Sequence, residues 1–116
     1  MTYKRGDVVL VLFPNSDLKT YKKRPALIVQ NTDVATDLGQ IVAALITTSS
    51  AVPDGPTRIT VGQATRQGRR MGLRTDSKIV GDNLATIPLK AIEMRIGTCG
   101  LMNEVDTTMR LTLGLD

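Results

Sequence analysis

Two short polar runs hold the residues best suited to chemistry in this sequence. Lys22 and Lys23 lead into Arg24, and a run of hydroxyl residues begins at Thr47. A guanidinium stays charged at neutral pH and can bind two phosphate oxygens together. A threonine hydroxyl can donate a hydrogen bond to the same phosphate. The residue types also fit a solvated loop charge and a β-branched strand residue, so the residues alone leave both interpretations open.

The absence of histidine limits the possible reactions. The chain has no His and a single cysteine, Cys99, which excludes Ser-His-Asp and Cys-His catalysis, the two-histidine ribonuclease scheme and the usual zinc sites. Cys99 has no His to activate it and no partner for an intrachain disulfide, so we expect it to be a packing residue. We therefore expect no metal and no cofactor, with chemistry left to Arg, Lys, carboxylate, hydroxyl and backbone groups.

The charge balance is compatible with a polyanionic partner. The chain has 15 Lys and Arg residues against 11 Asp and Glu, a net charge of +4. One segment is especially basic, because it contains Arg66, Arg69, Arg70 and Arg74. It predicts either a surface that binds the phosphates of single-stranded RNA or a solvated loop. Asp82 and Asn83 could bind base edges or form an ordinary Gly-Asp-Asn turn. Tyr21 could stack on a base.

Alternating and β-branched residues predict a mostly β chain. Strands are predicted at residues 7–13, 25–30, 41–48, 58–61, 78–87 and 93–97. The first is apolar at nearly every position, which predicts burial on both faces. The fifth is expected to be interrupted at Gly81-Asp82-Asn83, and one helical turn is expected at 88–91. Loops or turns are predicted at 15–23, 32–39, 50–56 and 62–75.

One helix is predicted near the end of the chain, from Asn103 to Leu113. Asn103 is suited to be its N-cap, and Gly114 is suited to end it. An apolar stripe at a spacing of four residues is expected to pack on the strands: Leu101, Val105, Met109 and Leu113.

These elements predict a compact antiparallel sheet or small barrel with a late helix. The length of 116 residues fits one domain over 1–116. The N-terminus lacks an apolar signal segment, and the longest apolar run, 41–46, is too short to cross a membrane. We therefore expect a cytoplasmic protein that does not associate with membranes.

Four blocks in order resemble the MazF/PemK family of toxin–antitoxin ribonucleases. They are Arg5-Gly6-Asp7-Val8-Val9, the block from Lys23 to Val29 (KRPALIV), the block from Ala44 to Ser49 (ALITTS), and the block from Gly81 to Ile87 (GDNLATI). Their order and spacing match the family over nearly the whole chain, including the C-terminal helix.

The resemblance implies a mostly β fold, an SH3-like antiparallel barrel of about five to seven short strands with a C-terminal helix. It implies a homodimeric toxin that cleaves single-stranded RNA or mRNA at short sequences without metal, leaving 2′,3′-cyclic phosphate and 5′-hydroxyl ends. A cognate antitoxin would inhibit it, and DNA would be bound only through the antitoxin complex. The implied catalytic residues are Arg24 and Thr47. RNA contacts are expected from Tyr21, Lys22, Lys23, Thr48, Ser49, Arg66, Arg69, Arg70, Arg74, Asp82 and Asn83.

Two departures from the family pattern fall where base preference is expected to arise. Many members have a Gly-Ser-Glu-Gln stretch before the second block, where this chain has residues 15–21 (NSDLKTY), and Asn83 stands where Gln is common. Two alternatives from other classes stay open: a gyrase poison of the CcdB type, which acts by protein contact on a related barrel, and an RNA-binding barrel without enzymatic activity.

Overall fold

The computed structural model describes residues 2–116. It contains six strands, which are β1 (Asp7–Pro14), β2 (Tyr21–Ile28), β3 (Gln40–Thr48), β4 (Arg58–Val61), β5 (Ser77–Pro88) and β6 (Ile92–Thr98). Two α-helices are present, α1 (Arg66–Arg70) and α2 (Met102–Leu113), together with 3₁₀ turns at Ser49–Ala51 and Leu89–Ala91. All six predicted strands, the turn near 88–91 and the C-terminal helix are confirmed.

All six strands form one antiparallel sheet in the order β4-β5-β3-β2-β1-β6. This confirms the mostly β fold with a C-terminal helix. The sheet is less closed than the barrel expected from the resemblance, because within residues 2–116 the edge strands β4 and β6 do not pair with each other.

The sheet has a hydrophobic cluster on each face, because alternate residues of its central strands point to opposite sides. Ala43 and Leu45 of β3 belong to one cluster, and Ala44 and Ile46 belong to the other. The second cluster also contains Val105 of α2, so the C-terminal helix covers that face. Burial of β1 on both faces is confirmed for most of its residues, although Leu12 is 48% exposed.

Strand β2 begins at Tyr21, inside a segment predicted to be a loop. Residues 21–25 pair only with β1, and pairing with β3 starts at Ala26. Pro25 has no N–H to donate, which fits its place just outside the β2–β3 ladder. The polar residues of this half of β2 favoured a loop in the sequence, because a strand that pairs with only one neighbour stays largely exposed. Strands β2 and β3 therefore separate next to Arg24 and Thr47.

The prediction of an extended loop at 62–75 is wrong, because the segment contains α1. The Thr65 hydroxyl caps this helix by accepting a hydrogen bond from the Gly68 N–H at 3.1 Å. Gly68 packs so closely that a Cβ there would lie 2.0 Å from the Gly62 carbonyl oxygen. Met71 is fully buried just after the helix. The Thr65 cap and the buried Met71 side chain hold this short helix in place. Because it does not depend on a repeating apolar face, its sequence shows no apolar periodicity.

The predicted interruption of β5 is only partly correct. The strand continues through 81–83, but its register on β3 jumps, since Ala44 faces Leu84 and Leu45 faces Val80. The three residues between form a bulge, and the Gly81 N–H donates to the Thr57 carbonyl at 2.8 Å. The bulge moves Asp82 and Asn83 out of the ladder with β3.

The C-terminal helix differs from its prediction at the start and along its buried face. Leu101 is the N-cap residue without a side-chain capping bond, so the N-cap prediction for Asn103 is wrong. Thr108 is buried beside Val105, whereas Leu113 is 57% exposed, so the predicted stripe is confirmed only in part. Gly114 ends the helix with φ +69°, as predicted. Neither helix in residues 2–116 has the length and apolar character needed to cross a membrane.

Candidate functional site

Arg24 lies on β2 opposite Val11, with its side chain half-buried at the point where β2 and β3 separate. Its Nη1 donates to the Thr47 hydroxyl at 3.4 Å, and its Nη2 donates to the Asn15 side-chain oxygen at 3.3 Å. Both contacts are longer than the usual 2.9–3.0 Å. The guanidinium is therefore oriented but loosely held, with N–H groups left for an incoming anion.

Thr47 occupies the second-last position of β3 and is half-buried. Alternation along the strand puts its side chain on the same face as Leu45, which lines the cleft with it. Thr48 is exposed and points to the opposite face. The strand geometry thus separates the two hydroxyls and brings only that of Thr47 to Arg24.

A cleft of about 410 Å³ surrounds this pair. Arg24 and Thr47 form its polar centre, and Leu45 and Val52 supply apolar wall. The remaining lining comes from the end of β1, the following loop, the 3₁₀ turn and the β5 bulge: Pro14, Asn15, Ser16, Ala51 and Asn83. A second concavity, of about 490 Å³ near residues 30–42, has no charged residue in its lining. The first cleft is the better candidate for an anionic ligand because it holds a cation.

Two further concavities extend the cleft along the sheet. The gap between β2 and β3, about 160 Å³, shares Arg24 and Thr47 with the cleft and is also lined by Lys22, Lys23 and Thr48. A third groove, about 580 Å³, shares residues 25, 75 and 77 with that gap and reaches Arg74 and Arg95. The three concavities share lining residues and so adjoin one another beside the Arg24–Thr47 pair; together they are here called the channel.

Several predicted RNA contacts lie outside this channel. Arg66, Arg69 and Arg70 are exposed on α1, where Arg69 binds the Ala64 carbonyl and Arg70 binds the Thr98 hydroxyl. Ser49 begins the 3₁₀ turn, and its N–H donates to the Asp76 carbonyl. Tyr21 is 63% exposed at the start of β2. Within residues 2–116, none of these five residues lines the cleft, the gap or the groove.

Lys23 and Asp82 are held by opposite charges. The Lys23 ammonium lies 2.8 Å from the Glu93 carboxylate. Asp82 accepts two hydrogen bonds from Arg58, with the closer contact at 2.9 Å. Desolvation works to raise the pKa of Asp82, but the hydrogen bonds and charge of Arg58 outweigh it and lower that pKa below its usual value. Within residues 2–116, no charged side chain binds Asn83, and its side chain lines the cleft.

Cys99 is buried, and burial raises the pKa of its thiol. Both observations agree with a packing role, because a reactive cysteine needs an exposed thiolate. Among residues 2–116, no group of three Cys, Asp or Glu side chains is placed to hold a metal ion.

Sequence reasoning missed Asn15, Ser16 and the wall formed by Ala51 and Val52. Asn15 was part of a polar loop with no feature that marked it out. Its contact with Arg24 depends on the β1–β2 hairpin, where the Asn15 N–H donates to the Thr20 carbonyl at 2.9 Å. The only signal in the sequence for Asn15 was its position directly after Pro14, the last residue of β1.

Comparison with solved structures supports the fold assignment. An endoribonuclease in complex with its cognate antitoxin from Mycobacterial species is 24% identical, with a TM-score of 0.74 over 99% of this chain and 98% of that chain. The Mycobacterium tuberculosis toxin MazF-mt6 is also 24% identical, with a TM-score of 0.74 over 95% and 98%. MazF from Deinococcus radiodurans is 17% identical, with a TM-score of 0.75 over 99% of both chains.

Sequence comparison supports the family. No functionally curated protein matches the chain. The family model for PemK-like, MazF-like toxins of type II toxin–antitoxin systems matches residues 4–113, which is nearly the whole sequence. The chain therefore belongs to this toxin family.

Proposed function

We propose that the protein is a metal-independent endoribonuclease that cleaves single-stranded RNA. The observation that carries the proposal is the Arg24 guanidinium, 3.4 Å from the Thr47 hydroxyl in an open cleft. Membership of a toxin family whose solved structural neighbours include endoribonucleases supports the same conclusion. The pair suits a reaction in which negative charge develops on a phosphate.

RNA supplies its own nucleophile for this reaction. The 2′-oxygen attacks the adjacent phosphorus, the P–O5′ bond breaks, and the products are a 2′,3′-cyclic phosphate and a 5′-hydroxyl. The 2′-hydroxyl loses its proton, and the departing 5′-oxygen gains one. The protein must hold the attacking oxygen in line and stabilise the charge on the non-bridging oxygens, which needs neither histidine nor metal.

Arg24 is assigned to transition-state stabilisation. Its fork can donate to two phosphoryl oxygens, and each well-placed donor of this kind contributes about 3–4 kcal/mol. An arginine guanidinium stays protonated at neutral pH and is therefore a poor base, so the proton acceptor is not assigned to Arg24. Thr47 is assigned a donor role towards the same phosphate or the attacking oxygen.

The channel beside the site gives a path for the RNA strand. Lys22, Lys23 and Arg74 place positive charge along it, and Asn83 lies at its opposite end, in the cleft. We propose that the cations bind phosphates and that the Asn83 amide contacts a base edge. Asp82 and Tyr21 remain candidates for base contacts. The arginines of α1 and the hydroxyl of Ser49 would reach RNA only outside the channel.

The biological setting is proposed from the family. The chain would act as one domain in the cytoplasm, as a homodimer, and a cognate antitoxin would inhibit it. Several neighbours were solved as such toxin–antitoxin complexes. DNA would be contacted only through the antitoxin complex.

Incubation of the purified protein with a long RNA in EDTA tests the proposed activity. We expect discrete cleavage products at a rate that EDTA does not change, because no step uses a metal. Intact RNA with a stable gel shift would indicate the non-enzymatic RNA-binding alternative. Intact RNA together with tight gyrase binding would indicate the gyrase poison.

A further inference from the structure

Lys78 is a buried cation to which the proposed reaction gives no role. It is the second residue of β5, opposite Thr47 of β3 on one side and Thr60 of β4 on the other. Directly opposed residues of antiparallel strands share a face, so the Lys78 stem lies on the same face as Thr47. Its side chain is only 8% exposed. Lysine is rarely buried to this extent unless its ammonium is paired.

The partners of this ammonium lie in the connection between β3 and β4, residues 49–57, here called the β3–β4 loop. The Lys78 Nζ donates to the Val52 carbonyl at 2.8 Å and lies 2.9 Å from the Asp54 carboxylate. Asp54 is 89% exposed, so this contact holds its otherwise solvated side chain. The hydrogen bond and charge of Lys78 lower the pKa of Asp54.

The tethered residues adjoin the candidate site. Val52 packs against the hydrophobic cluster that contains Leu45, and with Ala51 it lines the cleft around Arg24 and Thr47. Arg58 provides a second tether, but its bond to the Pro53 carbonyl is longer, at 3.3 Å, and more exposed. The shorter and better buried contacts to this wall therefore come from Lys78.

We infer that Lys78 is a positioning residue that fixes the β3–β4 loop as one wall of the RNA cleft. The inference rests on the proposed function. A wall held in place before RNA arrives loses less conformational entropy on binding, which favours affinity. Lys78 acts through Val52 and Asp54, without itself touching the reacting atoms.

The test compares Asp54→Ala, Asp54→Glu and Lys78→Met, with Asp33→Ala as a control at an exposed aspartate outside the loop. Hydrogen exchange reports the loop amides of Ser50, Ala51, Val52 and Asp54, and steady-state cleavage reports KM and kcat. In Asp54→Ala we expect faster loop exchange, a rise in KM of about three- to tenfold, and a kcat that changes less than about twofold. Asp54→Glu should preserve both readouts, because its carboxylate can still reach the ammonium.

Lys78→Met should produce the larger effect, because it removes both contacts while keeping an apolar stem. If that variant fails to fold, the two Asp54 variants still decide the question, since residue 54 is exposed. Unchanged loop exchange, or faster exchange with an unchanged KM, in Asp54→Ala would overturn the inference. A wild-type protein that cleaves no RNA would contradict the proposed function instead, and the exchange measurement separates the two failures.

Discussion

Replacing Arg24 with alanine is expected to lower kcat for RNA cleavage by about 100- to 1,000-fold, the loss typical of removing a preorganised charge-stabilising donor. The fold should survive, because Arg24 is half-buried, lies outside both hydrophobic clusters and gives up only two long hydrogen bonds. The measurement is single-turnover cleavage of a defined RNA, with circular dichroism and thermal unfolding to establish the fold.

Two companion variants sharpen this prediction. Arg24→Lys should also lose most of the activity, because one ammonium cannot replace two parallel N–H donors. Arg110→Ala removes the same charge from an exposed position on α2 and should leave cleavage near the wild-type rate. A folded Arg24→Ala protein with wild-type kcat would exclude Arg24 from the chemistry.

Thr47→Val has the second-largest expected effect. The substitution keeps the β-branched shape and removes the hydroxyl that faces Arg24. A hydrogen bond to a charged group contributes about 1.5–3 kcal/mol, so kcat should fall about 10- to 100-fold. Thr47→Ser retains the hydroxyl and should keep most of the activity. Rapid-quench measurement of the cleavage step provides the rates.

The neighbouring hydroxyl provides the comparison. Thr48 points to the opposite face of β3, so Thr48→Val should affect KM more than kcat. Thr107→Val on the exposed face of α2 controls for the loss of a hydroxyl elsewhere. If Thr48→Val lowered kcat as much as Thr47→Val, the assignment of the catalytic hydroxyl would have to move.

The sequence was most informative where one physical signal dominated. Strand β4 was predicted at its observed bounds because alternation and turns define it. Helix α1 escaped prediction, because its stability comes from the Thr65 cap, the close approach of Gly68 and the anchor Met71 rather than from periodicity.

The candidate site was predictable at its centre and in part of its lining, where the predicted residues Lys22, Thr48 and Asn83 lie. Arg24 and Thr47 follow from the family resemblance, and the structure places them together. Asn15, Val52 and Lys78 could not be predicted, because Asn15 reaches Arg24 only through the β1–β2 hairpin and Lys78 meets Val52 from 26 residues away in sequence. The basic residues at 66–70 had the strongest charge signal, yet the α1 turn places them away from the cleft.

Identification of the product ends is the most direct test of the central claim that Arg24 assists attack by the RNA's own 2′-hydroxyl. A long transcript should be cleaved in EDTA by the wild-type protein, and its fragments mapped by sequencing and end-specific labelling. We predict 2′,3′-cyclic phosphate and 5′-hydroxyl ends with the wild type, and about 100- to 1,000-fold slower formation of these ends with a folded Arg24→Ala variant. Wild-type products with 3′-hydroxyl and 5′-phosphate ends, or cyclic phosphates formed equally fast by Arg24→Ala, would contradict the account.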